Sequence, residues 1–318
     1  MPPRSLTSNL NHITSMGLSD LRSMLKRYYL SLRRQRRPLR FLAANLLWLS
    51  RACRFFVIDR GSYRLRFYPT SLSREYWLDR SERVEDESII IALVSPGDVV
   101  VDVGANVGAI TLAASRAVGE AGRVHAFEPH PRTFKYLQGN LELNQAVNVM
   151  AHNVALGEDD GTVIFSSRRS DDQNYVVQSA DGIPVEARRL DDVLRDEPRI
   201  ALLKVDVEGY ELAVLKGAAE ALRRSDSVFF EAWEDLAKRY GYSTPEINAY
   251  LQNLGFRLFR QHEGVFSEIP AQRVSWGCDN LLGVRNLADF TRQAEAVGWR
   301  VETLTPAENP ASRNMESS

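Results

Sequence analysis

From about residue 97 the chain alternates short apolar runs with stretches whose apolar residues recur every three or four positions, the mark of strands and helices taken in turn. Asp98–Val103 (DVVVDV) is a nearly continuous apolar run ending in glycines, as a strand buried on both faces should be. Ile110–Val118 predicts a small-residue helix stopped by Gly119, and Arg123–Phe127 predicts a second strand. Pro131–Leu143 reads as a helix with proline in its first turn and Phe134, Leu137 and Leu141 along one face. Val147–Ala155 is a third strand, and Gly161–Ser166 and Val185–Arg189 are further strands around a polar stretch. The pattern then predicts a strand at Ala201–Val205, a helix at Gly209–Arg223, a strand at Val228–Ala232 and a helix at Pro245–Leu254. Strands at Phe256–Gln261 and Asn280–Arg285 end the series. Alternation on this scale implies βαβ units: an α/β fold with a mostly parallel sheet and helices on both faces.

Ahead of this region the pattern differs. Leu18, Leu21, Leu25, Tyr28 and Leu32 recur at helical spacing, with Arg22, Lys26, Arg27, Arg33 and Arg34 between them, which predicts a basic amphipathic helix. Pro38 ends it, and a second apolar helix is expected over about 39–54. Residues 304–318 are rich in Pro, Asn and Ser and read as a disordered tail. The expected organisation is a basic, partly helical extension over 1–66, a main α/β domain over 67–290 and a C-terminal tail over 291–318.

Composition changes this picture in one respect. A net charge of −1 conceals an asymmetry: residues 1–66 carry 14 Lys and Arg against 2 Asp and Glu, and the remainder carries 26 against 39. The first part is therefore expected either to pack on the main domain or to face an acidic membrane surface or anionic substrate. Its apolar run Phe41–Leu49, at nine residues, falls short of the ~20 that span a bilayer, and no signal-peptide pattern is present. Two cysteines cannot build a disulfide framework, which points to a reducing, cytoplasmic setting. The five histidines lack metal-ligand spacing, so no metal site is expected.

The candidate chemistry begins at Asp102-Val-Gly104-Ala-Asn106-Val-Gly108, where a buried strand turns into a helix and glycines let the backbone approach a ligand. Glu128 ends the next strand, 20 residues after Gly108, where a carboxylate can accept hydrogen bonds from both hydroxyls of a ribose. A dinucleotide loop needs glycine where this chain has Asn106 and Ala109, so a nicotinamide cofactor is disfavoured, and no P-loop ending is present. S-adenosylmethionine, which has no phosphate, tolerates the spacing.

Three blocks together resemble the FkbM family of S-adenosylmethionine-dependent methyltransferases: Val101–Ile110 (VDVGANVGAI), Ala126–Asn144 (AFEPHPRTFKYLQGNLELN) and Leu203–Gly217 (LKVDVEGYELAVLKG). The resemblance covers roughly residues 85–286, with lesser signals at 153–157, 189–192 and 279–282. It implies a Rossmann-like class I methyltransferase fold, with a seven-stranded sheet whose last strand is antiparallel, and methylation mainly of oxygen. It also implies that Asp102, Gly104, Asn106 and Gly108 line the methionine end of the cofactor, that Glu128 takes the ribose, and that Asn153 and Ala155 lie near the adenine. His130 falls at a variable position of the family block and reads as structural or solvent-exposed.

On the acceptor side, Asp206 and Glu208 lie two apart at the carboxyl end of the fourth strand, and Glu231 ends the next, followed by Trp233 as a stacking surface. These three carboxylates are the candidate catalytic groups, with Asp206 first. A bland reading stands beside that one: Glu208 begins a helix, where the dipole favours a carboxylate, and Lys204 can simply pair with Asp206. The expected acceptor is a hydroxyl on a sugar, glycolipid or other small natural product. A nucleic-acid acceptor is disfavoured by the acidic catalytic region and by Asp-Val-Glu-Gly in place of the Asn/Asp-Pro-Pro-aromatic motif of base methylases. A binding module that keeps the fold without catalysis is the other alternative, against which stand the intact glycine loop and Glu128.

Overall fold

The computed structural model describes residues 38–166, 175–177 and 182–304, in two compact units that divide between Cys53 and Arg54. The amphipathic helix expected over 18–32 and the tail beyond 304 lie outside the described residues. In the first unit a helix spans Pro38–Leu49. It stops short of the expected residue 54 because Ser50 Oγ donates to the Leu46 carbonyl (2.7 Å) and Arg51 turns left-handed at φ +58°.

The second unit opens with a hairpin of β1 (Val57–Asp59) and β2 (Arg64–Arg66), then helices at Ser71–Leu78 and Val84–Leu93. The hairpin is tied to the helix at Pro131–Asn144: the Arg64 and Arg66 amides donate to the side-chain oxygens of Asn144 and Asn140, both at 2.8 Å. Part of the expected extension over 1–66 is therefore built into the main unit.

The strands that follow are β3 (Val99–Val103), β4 (Arg123–Phe127), β5 (Val149–His152), β6 (Ala155–Leu156), β7 (Gly161–Phe165), β8 (Val176–Val177) and β9 (Ile183–Arg188). After them come β10 (Ile200–Val205), β11 (Ser225–Ala232), β12 (Arg257–His262), β13 (Val265–Glu268), β14 (Asp279–Val284) and β15 (Arg300–Glu302). The central sheet has the order β15-β13-β12-β14-β11-β10-β3-β4-β5. β5, β4, β3, β10 and β11 are parallel; β14 runs against β11 and also against β12, which restores β12 to the common direction. The Rossmann-like sheet of seven strands with an antiparallel last strand is present as expected. Two more strands, β13 and β15, lengthen it beyond β12. The expected tail boundary at residue 290 falls inside a helix, Leu287–Ala296, whose Phe290 and Ala294 are buried in the core.

Two elements differ from the sequence pattern. The run 147–155 divides because β6 leaves the main sheet and pairs with β9 in a second sheet of order β6-β9-β7-β8. The helix expected over 209–223 breaks into Glu211–Lys216 and Ala219–Arg223. At the break the backbone of Gly217 packs on Gly157, with a Cβ there only 1.9 Å from the Gly157 oxygen, and its carbonyl accepts from the Asp191 amide.

Side-chain alternation along the strands sorts the core into two layers. Val101, Val103, Leu203, Val205, Val228 and Phe230 pack on one face with Leu212, Leu215, Ile247 and Leu251. Val100, Leu202, Phe229 and Leu282 pack on the other with Ile89, Ile90, Ile110 and Phe290. The same alternation carries Asp102, Lys204, Asp206, Glu231 and Asn280 onto the second face, toward the carboxyl ends of the parallel strands. A row of polar groups therefore caps the apolar layer below it.

Candidate active site

A cleft enclosing about 940 Å³, including its open mouth, lies over the carboxyl ends of β3, β4 and β10. Its position is the switch point between β3 and β10, where strand order reverses and adjoining loops part.

The loop after β3 forms one wall. Gly104 has φ +80°, and a Cβ there would lie 1.9 Å from the carbonyl oxygen of Asp206, so only glycine lets the two strand ends meet. Asn106 also adopts a left-handed backbone, φ +49°, and its amide donates to Glu128 Oε2 (3.0 Å). The His130 amide donates to the other Glu128 oxygen (2.9 Å), so the carboxylate is aimed by two backbone groups. Gly104, Asn106, Glu128 and Ala155 all line the cleft. Asn106 Oδ1 is buried without a partner among the described residues, an acceptor that a ligand's ammonium or hydroxyl can satisfy.

Three sequence-predicted residues stand behind the wall. Asp102 is wholly buried, accepts from Thr111 Oγ1 (2.6 Å) and pairs with Lys204 Nζ (3.0 Å), so it braces the loop from beneath instead of lining the methionine end. Gly108, φ +91°, faces Leu137 and allows the following helix to pack closely. Asn153 uses its amide to hold the carbonyls of Glu128 (2.9 Å) and Pro129 (3.0 Å) and does not face the cleft. His130 is buried and structural: its Nδ1 accepts from the Arg132 amide, capping the helix at Pro131, and burial, aided by Arg132, lowers its pKa.

The opposite wall is built from ion pairs. Lys204 Nζ reaches Asp102, the carbonyls of Val103 (3.2 Å) and Gly104 (2.9 Å), and Asp206 Oδ2 at 3.8 Å. Burial lowers the pKa of this ammonium, but Asp102 and Asp206 outweigh it and the net displacement is upward. Arg83, half-buried and held at φ +54° ahead of the helix at Val84, pairs with Asp206 Oδ2 at 3.2 Å. Burial raises the Asp206 pKa, yet Lys204 and Arg83 together pull it below the usual carboxylate range. Asp206 is thus an ionised hydrogen-bond acceptor and a weak base.

Glu208 lines the cleft in a left-handed turn, φ +57°. Glu231 lies behind Asp206 and is absent from the cleft wall; its Oε1 accepts from Cys278 Sγ (2.9 Å), and its Oε2 is buried without a partner among the described residues. Burial, then the charge of Asp206, raises its pKa to about 7. The indole Nε1 of Trp233 is likewise buried and unpartnered.

Sequence reading missed several wall residues. Leu72, Tyr76 and Arg83 come from the segment before β3, Phe165 and Val176 from the second sheet, and Tyr210 from the turn after β10. It also missed Glu211, buried behind that turn, whose Oε1 accepts from the Val207 and Gly209 amides (both 3.1 Å). Burial, then Glu231, raises its pKa to about 8, despite those amides. A second glutamate in Val-Glu-Gly-Tyr-Glu was its one sequence signal.

The profile of the methyltransferase FkbM domain matches residues 102–258. Methyltransferase sdnD of Sordaria araneosa is 32% identical over 251 residues, covering 66% of this chain and 94% of its own length. The chain belongs to the FkbM family of methyltransferases. Methyltransferase 1 of Beauveria bassiana is 34% identical over 143 residues, 37% of this chain, and the chain spans 57% of that relative's length. Hexuronic acid methyltransferase AglP of Haloferax volcanii is 29% identical over 180 residues, 55% of this chain and 73% of its own. With FkbM membership the cofactor is S-adenosylmethionine. The unpartnered Asn106 oxygen, the Glu128 carboxylate and the glycine-lined approach fit such a nucleoside with a cationic end.

Proposed function

We propose that this protein is an O-methyltransferase acting on a hydroxyl of a sugar, glycolipid or other small natural product. One observation carries the reading: a single cleft joins a nucleoside-type wall, Gly104 to Glu128, to an acidic wall at Asp206, and the two touch at Gly104. Glu128 takes the ribose, Asn106 and the Gly104 backbone the methionine end, and Ala155 the adenine side. The cofactor supplies a methyl group on a cationic sulfonium. What remains for the protein is to hold an acceptor oxygen in line and manage one proton.

Asp206, ionised and pinned by Lys204 and Arg83, orients the acceptor hydroxyl by accepting its hydrogen bond. Glu231, behind it with a pKa of about 7, is the better-matched reservoir for the released proton. Glu208 borders the same space. A second reading, methylation of an acceptor's carboxylate to an ester, has an observation of its own. Arg83 on the cleft wall is a cation able to hold a carboxylate, and the relative from Haloferax volcanii is named for hexuronic acid.

The test is transfer of an isotopically labelled methyl group from S-adenosylmethionine to neutral methyl glycosides, hexuronic acids and hydroxylated natural products, alongside calorimetric titration with S-adenosylhomocysteine. The expected product is a methyl ether, stable to mild base. A base-labile methyl ester would transfer the assignment to the second reading. Folded protein that neither binds the nucleoside nor methylates any of these would end the enzyme reading and favour a binding module.

A further inference from the structure

The first unit presents a surface that the chemistry of the cleft does not use. On the helix Pro38–Leu49, Leu39, Leu46 and Leu49 are 82%, 67% and 71% exposed, whereas Ala44 on the opposite side is fully buried. At 100° per residue the three leucines fall on one stripe, with Leu42 between them. Large aliphatic side chains aligned on one helix face are not the scattered exposure normal for a protein surface. The sequence around them is cationic: Arg33, Arg34, Arg36 and Arg37 precede the stripe, Arg40 follows its first leucine, and Arg51 and Arg54 come after it, with no acidic residue between 21 and 58.

We infer that this helix docks flat on an anionic lipid bilayer, with its leucines among the acyl chains and the flanking arginines at the headgroups. Twelve residues span ~18 Å, too short for a hydrocarbon core of ~30 Å, so lying in the interface is the geometry open to it. The leucine stripe and the charge each supply one of the two signals that stable peripheral attachment requires. Charge complementarity selects the lipid: the basic run attracts acidic headgroups, and the acidic remainder of the chain is repelled by them and stays clear. Nucleic acid would use the charge and leave the leucines in water. This inference does not depend on the acceptor assignment.

The experiment is gradient flotation of the full chain with vesicles of phosphatidylcholine alone or with about one third phosphatidylglycerol, at low and high salt. The expected result is flotation with the anionic vesicles only, weakened by salt. Replacing Leu39, Leu46 and Leu49 together by Glu should reduce vesicle binding at least about tenfold. Binding of S-adenosylhomocysteine should be unchanged, which shows the variant folded. Three results would overturn the inference: no flotation of the wild type, equal flotation of the triple variant, or a lipid-independent dimer that the triple variant dissolves. The last would make a second copy of the chain the occupant of the stripe.

Discussion

The two walls of the cleft are made differently. The wall from Gly104 to Ala155 is local in sequence and held mainly by backbone: amides of Asn106 and His130 aim Glu128, and the loop itself needs glycine. The wall at Asp206 is assembled by charged side chains from distant parts of the chain, Arg83 to Asp206 across 123 positions, and outside the cleft lining Asn280 donates to Asp86 across 194. A backbone-built wall is rigid and tolerates few sequences. A wall of paired charges can be re-drawn by substituting one residue of a pair.

Lys204 is the strut common to both walls, so its loss should have the largest effect. Lys204→Met leaves Asp102 buried without its cation, and destabilisation of about 3–5 kcal/mol is expected in denaturant unfolding. A loss below about 1 kcal/mol would show that the walls do not share it. Next, Glu128→Ala should weaken S-adenosylhomocysteine binding ~10- to 100-fold by calorimetry, as removal of charge-assisted hydrogen bonds does, and should cost about 1–3 kcal/mol of stability because the Asn106 and His130 amides lose their acceptor. Unaltered affinity would take the ribose assignment away from this carboxylate.

A smaller effect is expected at Glu211. Its folded pKa of about 8 lies above the ordinary carboxylate value, so the folded state holds a proton that the unfolded chain releases. The contribution of this group to stability is therefore fully present below the ordinary carboxylate range and is lost as pH rises through about 8. Glu211→Gln keeps the oxygen that accepts from Val207 and Gly209 and removes the ionisation. The variant should exceed the wild type above pH 8 by at least ~1.4 kcal/mol, the worth of a single unit of that rise, or about 3 °C in Tm, and lose that advantage near pH 5. Identical pH profiles would mean that Glu211 ionises freely. The smallest effect falls at Arg83: Arg83→Ala should slow methyl transfer about three- to tenfold through misplacement of Asp206, with S-adenosylhomocysteine binding unaltered. A loss of cofactor binding instead would erase the distinction between the two walls.

That distinction also explains what could be read from the chain alone. Buried strands and the glycine turn declare themselves by local pattern, so β3, β4, β10 and the position of Glu128 were legible. Asp102 and Asn153 were legible as residues of the site but misplaced within it, because sequence does not tell a side chain that touches a ligand from one that braces its neighbour. Arg83 and Tyr76 gave no signal: they lie before the region of family resemblance and reach the cleft only through tertiary packing. The structured segment after residue 286 was missed for a similar reason, since β15 is three residues long and pairs with β13 alone.

The contact between Asn280 and Asp86 (3.0 Å) has a bearing on how the molecule comes into being. During synthesis the nucleoside wall receives its strut only when Lys204 emerges, whereas the segment around Asp86 waits for a partner 194 residues later. At ~5–20 residues per second the step from Lys204 to Asn280 takes roughly 4–15 s, in which a nascent chain holds both walls without the contact at Asp86. A ligand that binds the cleft in that interval stabilises the chain while its last strands are still being added.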